Sequence, residues 1–369
     1  MSSTPLRILT VISALNLPRF TRRATIEAIS KKVEQLDLLI YTGVKNRFKK
    51  KETTAGIPVN TYHFWVPDML KKHPVLTSIE HKVRKSVWSQ RFSNYEVIFF
   101  TDPNQACLLP YIDSQKIVYL IRDPNVLQHK KHYRNERALI DRADLILATS
   151  QNLATEYIPK YHQTTHPNIH YWPNTVDLEI WDYKRFENNS SEKGNYTVGM
   201  AGNMNDRTDL KLLDFITDLE QVSFELCGNI FESVDDKKRL NKILAKKNVA
   251  HLGYIPFDKL PEKVAGWQCG LTIEKKCEYT RFTHHNKIYQ YLALGLPVVS
   301  LKIHDDYSHL EPYVQSVESY SEYINAIEIA LEKSRDPQFK RECIAVAETN
   351  SADKRAEDFL KWVKDLMNE

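Results

Sequence analysis

The sequence predicts an α/β protein made of two doubly wound halves, each a parallel sheet with helices on both faces. Short apolar runs alternate with polar, helix-patterned stretches along the whole chain, which is the order of strands and helices such sheets require. At 369 residues the chain exceeds one ordinary hydrophobic core and suits two. The polar stretch 187–195 separates the two series and is the best linker in the sequence. These observations place one domain at 1–183, a second at 184–350 and a terminal helix at 351–369.

In the first half, strands are expected at 8–12, 36–41, 97–100, 117–121 and 145–148, with helical patterns at 21–32 and 135–142. After the first strand, residues 16–23 (Asn-Leu-Pro-Arg-Phe-Thr-Arg-Arg) lack a Gly-rich dinucleotide fingerprint, which argues against a dehydrogenase. After the fourth, Tyr119-Leu120-Ile121-Arg122-Asp123-Pro124-Asn125 sets a carboxylate just beyond a buried strand, where doubly wound sheets hold their ligands. Asp123 is the candidate general base. An Asx turn leading into Asn125 is the alternative for the same residue. The run 136–150 (Glu-Arg-Ala-Leu-Ile-Asp-Arg-Ala-Asp-Leu-Ile-Leu-Ala-Thr-Ser) is a structural helix feeding a strand.

In the second half, strands are expected at 196–200, 223–227, 249–252, 269–273 and 297–301. The first ends in Gly199-Met200-Ala201-Gly202-Asn203, where missing side chains let a ligand approach the backbone. Arg207 and Asp209 follow: Arg207 either neutralises a bound anion or orients the loop through Asp209, or the two form a purely structural turn and salt bridge. The second strand ends in Gly228, and the third runs into Gly253-Tyr254-Ile255. The loop after the fourth holds Glu274, Tyr279, Arg281 and Thr283; a guanidinium such as Arg281 engages two oxygens at once.

The segment 284–300 (His-His-Asn-Lys-Ile-Tyr-Gln-Tyr-Leu-Ala-Leu-Gly-Leu-Pro-Val-Val-Ser) packs a helix start, a lysine, a helix stop and a buried strand together. Asn286 suits a cap, Gly295 a left-handed terminator, and Pro297 forbids continuation. Unpaired N–H groups and the dipole at a helix start attract anions, and Lys287 adds a full charge in the first turn. Gln290, one turn on, suits a ribose hydroxyl. From local physics alone a diphosphate site and an ordinary solvated helix stand level.

This segment resembles the Lys-hydrophobic-Tyr-Glu-Tyr-Leu-Ala-x-Gly-x-Pro-Val-Val signature of glycosyltransferases with the GT-B fold. Those enzymes bind nucleoside diphosphate sugars at this helix. Gln290 and Phe282 stand where many of them carry a pair of Glu; Gln beside Lys is similar to the glucuronosyltransferase of xanthan assembly. The Gly202-Asn203 turn with Arg207, Asp209, Leu212 and Leu213 also looks like the first strand-loop-helix of their donor domain. The resemblance implies two Rossmann-like domains facing a cleft, with the C-terminal helix crossing back to the first. It implies that Gly202, Asn203, Arg207, Gly228, Tyr254, Lys287 and Gln290 serve the donor nucleotide. Glu274, Tyr279, Arg281 and Thr283 then serve the donor sugar, and Asp123 is the base of an inverting reaction. The related Tyr-Asp-x-x-Asp-Asp pattern keeps only Asp123, since Leu120 and Pro124 replace two carboxylates.

Composition fits this expectation and narrows it. Hydrophobic residues make up 42% and charged residues 27%, and no apolar run approaches a membrane span. The N-terminus lacks a secretory pattern, and five scattered cysteines fit a reducing compartment, so a cytoplasmic protein is expected. Residues 1–183 hold 25 Lys/Arg against 17 Asp/Glu, and 184–369 hold 26 against 30, giving halves of +8 and −4. Basic clusters at 45–51, 71–73 and 82–85 lie among Phe48, Trp65, Met69, Leu70 and Trp88. This face suits either anionic lipid at the inner side of the plasma membrane or plain solvent. Nucleic acid fits poorly. With no Asp-x-Asp and no His/Cys ligand spacing, neither a metal nor any other cofactor is expected, the nucleotide sugar being a substrate. No nucleophile elbow or Walker loop occurs, which removes hydrolases and kinases of those types. The expected activity is a metal-independent hexosyl transfer from a UDP-sugar to a hydroxyl of a surface glycan or lipid-linked saccharide. A sugar-nucleotide epimerase and a catalytically silent partner of another transferase are the competing readings.

Overall fold

A computed structural model of the chain describes residues 4–12, 22–42, 56–63, 74–186, 196–303 and 307–368. The basic clusters 45–51 and 71–73, with Phe48, Trp65, Met69 and Leu70, lie outside the described residues, as do residues 16–21 and the linker 187–195. The chain forms two compact units, Met1–Pro173 with Ala352–Glu369, and Asn174–Ser351.

The first unit is built on seven parallel strands, β1 (Thr4–Ile12), β2 (Val33–Thr42), β3 (Val59–His63), β4 (Val97–Phe100), β5 (Lys116–Ile121), β6 (Leu145–Ala148) and β7 (Ile169–Tyr171). Their order is β3-β2-β1-β4-β5-β6-β7, so the winding reverses between β1 and β4. Successive strand residues face opposite ways. Ile8, Leu36, Leu38, Val97, Phe99 and Val118 point to one face. There the helices Arg23–Ser30 and Ala352–Asn368 cover them, with Phe359 5.1 Å from Phe99 between ring centroids. Trp172 lies in the same layer and donates its indole N–H to the Arg355 carbonyl at 2.9 Å. Phe359, Leu360, Val363 and Leu366 of the terminal helix are all buried, each contributing roughly 1.5–3 kcal/mol of transfer free energy. On the other face Leu9 and Leu39 line a cavity together with Trp88 and Phe92 of the helix Pro74–Phe92.

The second unit has six parallel strands, β8 (Tyr196–Ala201), β9 (Val222–Cys227), β10 (Val249–Gly253), β11 (Cys269–Thr272), β12 (Val298–Leu301) and β13 (Val314–Val317). The order β10-β9-β8-β11-β12-β13 reverses between β8 and β11. One face packs Val198, Met200, Phe224, Leu271 and Val299 against Leu213, Ile243 and Ile327. The other packs Ala201, Cys227 and Val298 against Trp267, Tyr291 and Leu292. The helix Tyr320–Lys333 opens with a capping box in which Ser319 and Glu322 bond each other's backbone.

All ten expected strands are present; β3, β7 and β13 add to them, each at an edge of its sheet. The sequence also places the first helix at 21–32, whereas it spans Arg23–Ser30, and its helix at 135–142 begins a turn earlier, as His132–Arg142. Among the described residues no helix is long and apolar enough to cross a membrane.

The first unit carries an acid sensitivity. His170 stacks on Trp362 at 4.4 Å, and burial lowers its pKa below the ordinary 6.5, as it does for His81 and His132. A depressed histidine binds protons more weakly folded than unfolded, so the stability it contributes is intact above the unfolded pKa and lost as pH falls through it. We expect the urea midpoint to drop between about pH 7.5 and about pH 5.5, and His170→Phe to flatten part of the drop. Equal midpoints at the two pH values would refute this.

Candidate functional site

The expected donor residues converge at the carboxyl ends of β8, β9 and β11, at the point where the winding of the second sheet reverses. Two glycines shape this end. Gly202 has φ +156° and Gly228 φ +138°, and a Cβ on Gly228 falls inside van der Waals contact of the Gly202 carbonyl. The chain also keeps pairing beyond the strands. Gly202 N–H donates to Cys227 O at 2.8 Å, Gly228 N–H to Gly253 O at 2.8 Å, and Met204 N–H to Asn229 O at 2.9 Å. Asn203 Oδ1 accepts from Asn229 N–H at 2.9 Å, so its side chain braces the turn. Tyr254 follows Gly253 and is 58% exposed, a ring standing at the rim.

Lys287 reaches this turn from the helix Asn286–Ala293. Its Nζ lies 3.1 Å from where a Cβ on Gly202 would sit. Its position is set one turn further along, because Lys287 and Tyr291 share a helix face. The Tyr291 ring lies flat against Gly270 on β11, where no Cβ fits, and its hydroxyl accepts from Ala201 N–H at 2.8 Å. Burial pushes the Tyr291 phenol well above its usual pKa, so it stays neutral. Gly199 does the same for Trp267, whose indole N–H donates to Glu225 at 2.7 Å. Gln290 is half-buried on the helix three residues past Lys287.

Glu274 follows β11. Its carboxylate lies 3.1 Å from His285 Nε2 and 3.9 Å from Lys287 Nζ, so the lysine enters the site already beside an anion. Backbone pairing between Thr208 and Glu274, with Lys275 N–H on Arg207 O at 2.8 Å, ties the two loops together. The Arg207 guanidinium then rests on the Tyr279 ring, 4.5 Å from its centroid.

Some expectations are placed differently. Asp209 does not orient Arg207. It caps the helix Leu210–Ile216 through Lys211 and Leu212 N–H and accepts from Tyr320 O–H at 2.7 Å. Asn286 is not the cap of the lysine helix; His285 holds that position and makes no side-chain cap bond. Thr283 is buried and donates its hydroxyl to Thr280 O at 2.9 Å, whereas Arg281 is exposed. Phe282 is buried, 1% exposed, as core rather than lining.

In the first unit Asp123 is half-buried in the loop between β5 and the turn Asn125–Gln128. Pro124 caps that turn without a side-chain bond. Two residues, one in each unit, escaped sequence reasoning. Arg22 is 2% exposed, lies over Trp172 at 4.4 Å and donates to the Trp172 and Pro173 carbonyls. Burial first, then Arg122 and Arg355, push its pKa down to about 9, which leaves it charged at neutral pH. The doublet Arg22-Arg23 after the first strand was the available signal. His285 was legible only as a flank of the lysine helix.

With the site described, its likenesses are informative. No family model matches the chain, and no curated protein matches it. Solved structures do, over nearly its whole length. HepE from Anabaena, in complex with UDP and glucose, aligns with TM-score 0.69 and 15% identity over 97% of this chain and 99% of that one. Sucrose-phosphate synthase from Thermosynechococcus elongatus aligns at 0.72 and 12%, covering 98% and 99%. The apo lipopolysaccharide outer core galactosyltransferase WaaB aligns at 0.70 and 13%, covering 98% and 99%. The fold is GT-B. The glycine turn and the lysine helix of the second unit lie at the point where the winding of its sheet reverses.

The flat seat of Tyr291 makes a direct test. Gly270→Ala drives a methyl group into the ring, and we expect a loss of about 1–3 kcal/mol in denaturant unfolding. Unchanged stability would show that the helix is not held this way.

Proposed function

We propose that the chain is a UDP-sugar-dependent glycosyltransferase that needs no metal and elongates a surface glycan or lipid-linked saccharide. The observation that carries this reading is the Lys287 ammonium seated at the Gly202–Gly228 turn of a GT-B domain. The structural likeness to HepE held with UDP and glucose supports it.

In this reading the diphosphate lies on the Gly202-Asn203 turn, facing Lys287 and the start of its helix. Gln290 bonds the ribose, and Gly228 and Tyr254 border the nucleoside. Glu274, Tyr279, Arg281 and Thr283 belong to the loop serving the sugar, Tyr279 chiefly by supporting Arg207. As the bond from the anomeric carbon to the diphosphate oxygen breaks, charge grows on that oxygen, and Lys287 and Arg207 stabilise it in the role a divalent ion otherwise takes. The acceptor oxygen bonds to the anomeric carbon, and its proton passes to the Asp123 carboxylate. The products are UDP and the extended glycoside.

Thermal unfolding with UDP, UDP-sugars and other nucleotides in EDTA tests the donor site. A ligand bound only to the folded state at a hundred times its Kd stabilises it by about 2.7 kcal/mol. UDP species are expected to raise the melting temperature, and Lys287→Ala to abolish the shift. Asp123→Asn should bind UDP normally and transfer at least a hundredfold more slowly, the lower end of what general bases contribute. No shift with any nucleotide overturns the reading. Release of an altered nucleotide sugar without acceptor marks an epimerase, and UDP binding without turnover marks the silent partner protein.

We further propose that the enzyme works at the anionic inner face of the plasma membrane. The support is the helix Pro74–Phe92, on which Val75, Ile79, Val83 and Val87 are 52–59% exposed at four-residue spacing. Lys82 and Lys85 are exposed beside them, while Glu80, the helix's one acid, is buried against Arg84 at 2.8 Å. An outward face of valine, isoleucine and lysine fits an anionic lipid surface. Phosphatidylglycerol vesicles should pellet the protein, phosphatidylcholine vesicles should not, and Val83→Glu should release it. Failure of the unaltered chain to bind anionic vesicles removes the membrane from the proposal.

A further inference from the structure

Lys287 stands between two sources of negative charge. One belongs to the chain, since Glu274 Oε1 lies 3.9 Å from Lys287 Nζ. The other is the diphosphate that the Gly202 turn is proposed to take, on the side where Nζ comes within 3.1 Å of the Cβ position of Gly202. At 3.9 Å ammonium and carboxylate attract each other without a hydrogen bond, which needs about 2.7–3.2 Å. A hydrogen-bonded ion pair would be stronger, and an incoming anion would have to break it.

His285 accounts for the gap. Its Nε2 is 3.1 Å from the other oxygen of Glu274, Oε2, within hydrogen-bond distance. A carboxylate only accepts, so the proton of this pair is on Nε2. The ring turns to Glu274 rather than to the lysine helix, because His285 at the cap position makes no side-chain cap bond. Its backbone is fixed from two sides. His285 N–H donates to the Tyr307 hydroxyl at 3.2 Å, and the preceding His284 carbonyl accepts from Asn174 Nδ2 at 2.5 Å. The buried His284 ring packs against Tyr289 and Tyr307, at 5.7 and 5.6 Å between centroids. Glu274 is held at its own backbone by pairing with Thr208. Lys275 and Lys276, which follow it, pair with Asp235 and Glu318. Glu274, His285 and Lys287 keep 12–19% of their side-chain surface exposed, so all three are within reach of a ligand.

We infer that Glu274 competes with a diphosphate for Lys287, and that His285 is the positioning residue that holds the carboxylate back and leaves the ammonium's donors to the anion. The inference rests on the donor-site reading of Lys287. Without the imidazole, rotation of the Glu274 side chain by about 1 Å closes the ion pair, and the anion site loses its cation to the chain's own acid.

Isothermal titration of the full chain in EDTA, with inorganic pyrophosphate and UDP as probes, tests this. Glu274→Gln keeps the shape of the side chain, removes the competing charge and should tighten both probes about tenfold, the size of one hydrogen bond to a charged group. His285→Ala should weaken both about tenfold. His285→Gln, whose amide still donates to the carboxylate, should stay within about twofold of the unaltered chain. The double variant Glu274→Gln with His285→Ala should bind like Glu274→Gln alone, because no carboxylate is left to hold; a histidine with only a structural role would weaken it too. If His285→Ala fails to fold, Glu274→Gln decides by itself. Unchanged or weaker binding in Glu274→Gln, unchanged binding in His285→Ala, or a double variant as weak as His285→Ala overturns the inference, and UDP bound by the unaltered chain then leaves the donor site standing. Pyrophosphate binding that follows the expected pattern in a chain that does not bind UDP supports the inference and discards the transferase reading. An unaltered chain that binds neither probe overturns both.

Discussion

The second unit depends on a side chain lying where a strand residue would otherwise carry its own Cβ. Tyr291 can rest on β11 only because residue 270 is glycine, and from there its hydroxyl meets the Ala201 N–H at the end of β8. One aromatic ring thus joins the lysine helix to two strands. A helix fixed at its fourth turn position has little freedom at its first, so Lys287 is delivered to Gly202 by packing rather than by its own flexible stem. Trp267 over Gly199 repeats the device one strand along, which makes this face of the sheet an aromatic bed for the site.

The same constraint explains why the glycine turn is itself so closed. Gly228 approaches Gly202 until it has no room for a side chain, and strand-like bonding continues through Asn203, Met204 and Asn229. The backbone is therefore spent on itself on one side and bare on the other. Lys287 thus places a positive charge beside a turn whose backbone is already fixed by its own hydrogen bonds. Glu274 balances it: the carboxylate near His285 and Lys287 tempers the like charges this pocket would otherwise gather.

How far the sequence reveals this follows from burial. Interior strands such as β4, with four buried residues in a row, read as unbroken apolar runs and were legible. The strands that were not, β3, β7 and β13, lie at sheet edges, where one side needs no apolar cover and residues such as Asn60, His170 and Gln315 break the run. At the end of the second sheet, Gly202 and Gly228 stood out because their positive φ restricts those positions to few residue types, and Lys287 because it lies in the first turn of a helix that the local pattern delimits. The partner of Asp209 was not, since Tyr320 is distant in sequence and hydrogen bonds of that kind leave no local pattern. Asn286 misled because a good capping residue one position late still resembles a cap.

The first unit shows the complementary case, a residue whose role in the sequence looked merely helical. Glu136 is fully buried, and a lone carboxylate there would be untenable. It is instead surrounded: Tyr119 O–H at 3.2 Å, Asn125 Nδ2 at 2.7 Å, Tyr157 O–H at 2.6 Å and His162 Nε2 at 2.9 Å. Burial and this carboxylate push both tyrosines well above their usual pKa, so they remain donors. Asn125 stands two residues past Asp123, and Tyr157 also accepts from Val126 N–H at 2.9 Å. The turn after Asp123 is thus anchored from beneath by a network that has no slack, because each lost donor would expose buried charge. The loop that carries Asp123 is thereby tied to the buried interior of this unit through Asn125 and Val126.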